Sequence, residues 1–189
     1  MPPKARISKE MILETGLRII RTEGAEHLNV RRIAAVLDCS TQPVMYHYST
    51  VNDLKHALYA AADALHTEFI MTPDASAENP LLSIGLRYIR FAEEEKHLFR
   101  FLFQSDQFQN TSFRALTSRE NIPFIQPLCD AAGLHPAQGE AVFAVLFTCV
   151  HGAASLIANN SLEYDEAYFA ALLERTFYGA VKAVTEESK

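Results

Sequence analysis

The sequence predicts an all-α protein with an N-terminal helix-turn-helix domain and a larger helical C-terminal domain. Apolar residues recur at helical spacing along most of the 189 residues, and strand-like alternation is nowhere sustained. A segment rich in helix breakers, MTPDASAENP at 71–80, is the best candidate for a linker. We expect about nine helices in two domains, residues 1–56 and residues 57–189.

Capping residues place the first two helices. Ser8 is a good N-cap for a first helix that ends at Gly24, and Asn29 is a good N-cap for a second. In the first helix Leu13, Leu17 and Ile20 are expected to share one apolar face. Gly16 interrupts that helix and is tolerable if another helix packs closely there. The second helix is expected to stop at Asp38.

The third helix is expected to begin near 40–43. Because Pro43 disfavours helical geometry at Gln42, the regular helix is predicted to start at Pro43 with Gln42 as its cap. A long fourth helix over about 52–70 links the two domains. The remaining helices are expected at about 80–95, 97–104, 112–132, 137–159 and 164–184.

Composition and charge restrict the function classes. Hydrophobic residues make up 49% and charged residues 21% of the chain, which is ordinary globular composition. No uninterrupted apolar stretch suits a membrane span, and the N-terminus lacks a secretory signal, so we expect a cytoplasmic protein. The net charge is −6, but residues 1–56 carry +2 and the remainder −8. Any contact with an anionic partner is therefore expected at the N-terminal end.

The stretch DCSTQPVMYHYS at 38–49 has the form of a turn followed by a short helix. With the helix before it, this makes a helix-turn-helix arrangement. We expect Met45 and Tyr48 to face the core, whereas Tyr46 and His47 point outward with Gln42. A phenol and an imidazole suit phosphate oxygens, and an amide can read base edges. The pattern alone is also compatible with a helical corner that carries exposed aromatic side chains.

Residues 6–58 resemble the DNA-binding domain of the TetR family of bacterial transcriptional regulators. The resemblance rests on ILETGLRIIRTEG, then NVRRIAAVLDCS, then TQPVMYHYSTVNDL. It implies a homodimer that binds a double-stranded DNA operator and a C-terminal domain that usually binds a small-molecule effector. The chain departs from the family pattern at Asp38 and Cys39 in the turn, at Pro43, and at Val51, where the family often carries a phosphate-binding Lys. Lys55, one turn later, is a candidate substitute.

The candidate DNA-binding residues combine the helix-turn-helix with a basic N-terminal segment. Lys4 and Arg6 could enter a minor groove or meet phosphate, or they could serve only as a solubilising terminus. The full candidate set is Lys4, Arg6, Asn29, Arg31, Ser40, Thr41, Gln42, Pro43, Tyr46, His47 and Lys55.

The C-terminal region contains a segment at 140–158 that is apolar nearly all round. A helix of this kind must be buried on every side, so one face is expected to meet the domain core and the other a second subunit. With the last helix, it would form a four-helix bundle across a two-fold axis. A homodimer would also place two recognition helices on successive major grooves.

An effector site is expected among aromatic side chains of the C-terminal region. The C-terminal region carries a second resemblance, to TetR-like proteins that have FA and LFRxLF segments and a later His-Gly pair. The matching residues are 91–92, 98–103 and 151–152. The Trp that often precedes the His-Gly pair is missing. His151 could bind an effector or be a core histidine, and the aromatic cluster could line a cavity or simply fill the core. The candidate lining residues are Tyr88, Phe99, Phe103, Phe124, Phe147 and His151.

The expected function is a dimeric transcriptional regulator, a repressor released or modulated by a small, largely apolar effector. The alternative is a helical ligand- or protein-binding module that has lost DNA readout. No phosphate loop, nucleophile elbow, HExxH motif or CxxC pair is present, so we expect neither an enzyme nor a cofactor or metal site.

Overall fold

A computed structural model describes residues 7–72, 79–105, 112–118, 125–160 and 162–186. These ranges contain ten α-helices and no strand, which confirms the all-α prediction. A 3-10 turn at Ala25–His27 follows the first helix. The α-helices are α1 (Lys9–Glu23), α2 (Val30–Val36), α3 (Thr41–His47), α4 (Val51–Met71), α5 (Pro80–Glu94), α6 (Lys96–Phe103), α7 (Phe113–Leu116), α8 (Ile125–Ala132), α9 (Pro136–Asn160) and α10 (Glu166–Glu186).

The single helix predicted over 112–132 is wrong, and this accounts for the tenth helix. After α7 the hydroxyl of Thr117 donates to the Phe113 carbonyl at 3.0 Å, and that of Ser118 donates to the Ala115 carbonyl at 3.0 Å. The next described residue, Ile125, begins α8. The sequence places Pro123 inside the predicted helix, where a proline removes a backbone hydrogen bond and clashes with the preceding turn.

The described residues form two compact units, each built from two separate stretches of the chain. Unit 1 contains the described residues of 1–68 and 95–107, and unit 2 contains those of 69–94 and 108–189. Helix α6 therefore belongs to the same unit as α1 to α3. The assignment of 1–56 to DNA binding and 57–189 to effector binding and dimerisation remains a proposal.

The core of unit 1 is built by α1 together with α2, α3 and α4. Ile12, Ile20, Ile33 and Leu58 are completely buried. On the predicted apolar face of α1, Ile20 is buried but Leu13 and Leu17 are only half-buried, because the centre of the buried face lies at Ile12, Gly16 and Ile19.

A glycine permits the close approach of α1 and α4. A Cβ atom on Gly16 would lie 2.7 Å from Cδ2 of Leu58, a side chain that is itself completely buried. The expectation that another helix packs closely at Gly16 is confirmed.

Side-chain caps fix where the helices of unit 1 begin. Oγ of Ser8 accepts the Met11 amide at 3.3 Å, and Oδ1 of Asn29 accepts the Arg32 amide at 2.9 Å, so both predicted N-caps are confirmed. Before α4, the Thr50 amide donates to the Asp53 carboxylate at 2.8 Å, and the Asp53 amide donates to Oγ1 of Thr50 at 3.0 Å. This reciprocal pair of hydrogen bonds satisfies two backbone amides that have no acceptor in the backbone of the helix.

Unit 2 is organised around α9, which packs against α5, α8 and α10. Its buried apolar cluster includes Ile125, Leu128 and Val142. A Cβ atom on Gly139 would lie 2.1 Å from Sγ of Cys129, so this glycine allows α8 and α9 to approach closely. Between α5 and α10, the guanidinium of Arg90 pairs with the carboxylate of Glu166.

Candidate nucleic-acid interface

The turn between α2 and α3 is a Schellman motif. The Cys39 amide donates to the Ala34 carbonyl at 3.0 Å, and the Asp38 amide donates to the Ala35 carbonyl at 3.3 Å. Asp38 takes a φ of 49°, in the left-handed region that favours glycine. Aspartate tolerates this conformation better than most residues, so the chain can make the turn with Asp38 in place of a glycine.

Helix α3 begins earlier than predicted. It starts at Thr41 with Ser40 as N-cap, so the expected start at Pro43 with Gln42 as cap is wrong. Pro43 lies at the third helical position. The amides of the first helical turn have no acceptor within the helix, so the missing N–H of a proline costs little there.

The buried side of α3 is defined by Val44 and Tyr48. Val44 has no exposed surface, whereas Met45 is 38% exposed, so the prediction that Met45 faces the core is wrong. Tyr48 is buried, as predicted, and the ammonium of Lys9 lies 5.3 Å from the centroid of its ring. Burial raises the pKa of the Tyr48 phenol. Val44 and Tyr48 are four residues apart, which places both on one face of the helix.

The opposite side of α3 is open to solvent. Tyr46 is 78% exposed, and Ser40, Thr41 and Gln42 are also exposed, while Pro43 is half-buried. These side chains supply hydroxyl and amide groups along one short helix, which can bind phosphate oxygens and base edges. The outward position predicted for Tyr46 agrees with the structure.

The prediction that His47 points outward is not confirmed. Its side chain is half-buried, and Nε2 lies 3.0 Å from the carbonyl oxygen of Ile7, at the entry to α1. A carbonyl oxygen only accepts hydrogen bonds, so Nε2 carries the proton. One of the two ring nitrogens of the imidazole that was predicted to meet phosphate is therefore engaged within the chain.

Two arginines of unit 1 are paired with carboxylates. The guanidinium of Arg32 donates from Nε to Glu23 at 3.1 Å, and a second nitrogen lies 2.6 Å from the same carboxylate. This bond lowers the pKa of Glu23. Arg21 is paired in the same bidentate manner with Glu95 at the start of α6. Neither pairing was foreseen, because partners nine and 74 residues apart leave no pattern in the sequence.

Arg31 and Lys55 are exposed, and neither takes part in an ion pair within the described ranges. Of the basic residues predicted to contact phosphate, these two lie in the part of the chain that the structure describes. Asn29 is exposed but already caps α2, so its amide has a structural role. Val51, where the resemblance led us to expect a Lys, is exposed at the first residue of α4. Lys4 and Arg6 lie outside the described residues.

The predicted effector residues are divided between the two units. Phe99 and Phe103 belong to α6 in unit 1, where Phe103 packs edge-on against His66 with ring centroids 5.1 Å apart. Burial lowers the pKa of His66 to about 4, which marks a dry core environment there. Phe124 lies outside the described residues.

The other three candidates lie together in unit 2. The hydroxyl of Tyr88 is 2.9 Å from Nδ1 of His151, and the ring of Phe147 stacks on the imidazole at 5.5 Å. Burial lowers the pKa of His151, so the ring stays neutral near pH 7 and Nδ1 can accept the tyrosine proton. No cluster of three metal-ligating side chains occurs in the part of the chain that the structure describes.

Residues 81–177, about half of the chain, match the family model described as the C-terminal domain of tetracyclin repressor-like proteins. The chain belongs to the TetR family. Among solved structures, the multidrug binding protein EbrR complexed with imidazole is similar, with 18% identity, 88% of this chain and 93% of that chain covered, and a TM-score of 0.48. No match was found among curated proteins.

The family match covers only part of the chain. The match spans α5 to most of α10 and so includes Tyr88, Phe147 and His151. The helix-turn-helix lies outside the matched residues, and its assignment rests on its own geometry and on the sequence resemblance. TetR-like regulators are generally not enzymes.

Proposed function

We propose that this TetR-family chain is a cytoplasmic, dimeric transcriptional repressor whose helix α3 enters the major groove of an operator. The observation that carries the proposal is the division of α3 into a buried side, with Val44 and Tyr48, and an exposed side, with Gln42 and Tyr46. A rigid helix with an exposed hydroxyl and amide edge suits a DNA groove.

The charge distribution supports the same proposal. Arg31 is the second residue of α2 and Lys55 the fifth residue of α4, and both are exposed. Lys4 and Arg6 add two more cations at the N-terminus. Contacts from such residues to phosphates supply affinity that depends on salt concentration, while α3 supplies sequence readout.

The alternative is a helical binding module that no longer reads DNA. Two observations favour it: Arg21 and Arg32 are already paired with carboxylates, and the side chain of Val51 carries no charge that could attract phosphate. The two functions differ in one measurable property, which is specific affinity for a duplex that depends on the exposed side of α3.

We predict that Tyr46→Ala weakens binding to the DNA upstream of the gene by about tenfold, because each subunit of a dimer loses a phenol contact to that DNA. Fluorescence anisotropy with a labelled duplex measures the affinity. Tyr168→Ala is the matched control, since Tyr168 is a 62% exposed tyrosine of α10. Equal affinities for wild type and Tyr46→Ala, or no specific binding by either, would favour the binding module.

The proposed dimer interface lies on α9 and α10. Exposed residues of α9 form a stripe without charge at spacings of three and four: Ala141, Val145, Thr148, Gly152 and Leu156. Leu156 is 55% exposed, a large value for a leucine in a helix that is long and apolar. Tyr178 and Gly179 are exposed on α10. An apolar helical stripe left open in one chain is suited to packing against another helix.

Two glycines strengthen the argument. Gly152 and Gly179 lie inside helices, and a Cβ atom on either would meet nothing within 4 Å. A glycine inside a helix costs about 0.5–1 kcal/mol relative to alanine, and the described contacts give no reason for it. Close approach by a second copy would give a reason, because small residues let helix backbones pack tightly.

A membrane is a less suitable occupant of this stripe. Among the described helices, α9 is long and apolar enough to cross a bilayer by length and composition, but core helices of soluble proteins pass the same test. Its other side packs against α5, α8 and α10. A second copy also meets a geometric need, since a dimer presents two recognition helices to successive major grooves about 34–36 Å apart.

We expect Leu156→Glu to convert the dimer to a monomer, because it places a charge from each subunit in an apolar interface. Leu65→Glu, which changes a half-exposed leucine of α4, should remain dimeric. Light scattering after size-exclusion chromatography gives the mass of each variant. The interface assignment is wrong if Leu156→Glu keeps the wild-type mass and fold.

We further propose that an effector binds beside the Tyr88–His151 pair in unit 2. The pair puts a hydroxyl and a neutral imidazole next to the rings of Phe147 and Phe143, which are themselves stacked at 6.0 Å. Such a combination suits a largely apolar molecule with one or two polar groups. In the proposed function, this molecule releases the operator by favouring a different dimer conformation.

A thermal-shift screen with hydrophobic and aromatic compounds tests the effector site. A compound at 100 times its Kd should add about 2.7 kcal/mol to the stability of the wild type. Tyr88→Phe should lower that gain, since the hydroxyl beside His151 is lost. The control is Tyr59→Phe in unit 1, which should keep the full gain. Equal gains in wild type and Tyr88→Phe would remove this pair from the proposed site.

A further inference from the structure

The exposed side of α3 has an apolar edge, formed by Met45, which is 38% exposed. The exposed polar residues of the same helix are Thr41, Gln42 and Tyr46. Residues three or four apart are neighbours on the surface of a helix. Met45 follows Gln42 by three positions and Thr41 by four, so it borders the hydroxyl and amide groups proposed to contact DNA.

The rotation of α3 places Met45 between the core and these polar groups. Val44 has no exposed surface and Tyr48 is 4% exposed, so the direction midway between them marks the buried side of the helix. At about 100° per residue, Met45 is rotated from that direction by about 80°, Gln42 by about 140° and Tyr46 by about 180°. The Met45 side chain is therefore partly packed and partly presented beside Gln42.

An apolar side chain at this place has a specific counterpart in a major groove. Base edges there present hydrogen-bond donors and acceptors, and the apolar exception is the C5 methyl group of thymine. Methionine is unbranched and polarisable, so its side chain adapts to the shape of a small apolar group. A thymine methyl group beside the base that Gln42 reads would remove the exposed part of Met45 from water.

We propose that Met45 is a specificity-determining residue of α3, which packs against the methyl group of a thymine in each half-site of the operator. The inference rests on the proposed DNA-binding function and extends it to the kind of sequence that is read. Met45, which was predicted to face the core, thereby joins the readout surface. The operator should carry an A·T pair at the position that Met45 faces, because a G·C pair offers no methyl group there.

Deoxyuridine substitution isolates this contact, since deoxyuridine pairs as thymidine does but lacks the C5 methyl group. The probe is a fluorescein-labelled duplex of the DNA upstream of the gene, in which the thymines are replaced one at a time. Anisotropy titrations give the affinity of the wild type and of Met45→Ala for every duplex. Met71→Ala is the matched control, because it removes a 45% exposed methionine from the last residue of α4.

We expect deoxyuridine to weaken wild-type binding about fourfold at one thymine of each half-site, the effect of one methyl group removed from an apolar contact. At the same thymines, Met45→Ala should show a difference of less than about 1.5-fold, because the double-mutant cycle has already lost the interaction. Met71→Ala should keep the full fourfold difference. If Met45→Ala lowers the melting temperature markedly, Met45→Gln, which has a polar side chain of similar length, replaces it with the same expectation.

Two outcomes would overturn the inference. A deoxyuridine effect that persists in full in Met45→Ala would place the methyl contact on another side chain, such as Val51, which is 44% exposed at the start of α4. Specific binding by the wild type that is unchanged at every substituted thymine would show that no methyl group is read. Absence of specific binding by the wild type would instead contradict the proposed function itself.

Discussion

The proposed DNA-binding surface depends on the burial of Val44 and Tyr48 against the helices of unit 1. Helix α3 has only seven residues, which is too short to be stable in water without packing. The packing of Val44 and Tyr48 therefore both stabilises α3 and sets its rotation about its own axis. With those two side chains inside, Tyr46 and Gln42 must face outward. The proposed DNA contact is a consequence of this packing.

A comparable constraint acts on α9 in unit 2. One side of the helix is used by α5, α8 and α10, and the other exposes Val145 and Leu156 together with Gly152. The dimer proposed for this TetR-family chain would cover the exposed side of α9.

Features controlled by local chemistry could be predicted from the sequence. The caps Ser8 and Asn29 act within three residues, and the close approach at Gly16 follows from an otherwise unexplained glycine in a helix. The choice between Val44 and Met45 could not be predicted in the same way. Both are apolar, neighbouring side chains of a helix differ by only about 100° in direction, and the core that selects between them comes from other helices.

Long-range contacts explain the remaining differences. The bond of His47 to Ile7 joins residues 40 apart. The aromatic residues of α6 belong to unit 1, whereas Tyr88 and His151 belong to unit 2. Aromatic spacing in the sequence shows that such residues will be buried, but not which unit buries them.

Hydroxyl-radical footprinting of the wild-type protein on the DNA upstream of its gene tests the central claim most directly. Two α3 helices related by a two-fold axis should protect two patches about one helical turn apart, on the same face of the duplex. Protection without defined patches, or none at concentrations where the protein is folded and dimeric, would contradict the assignment of α3 as a recognition helix.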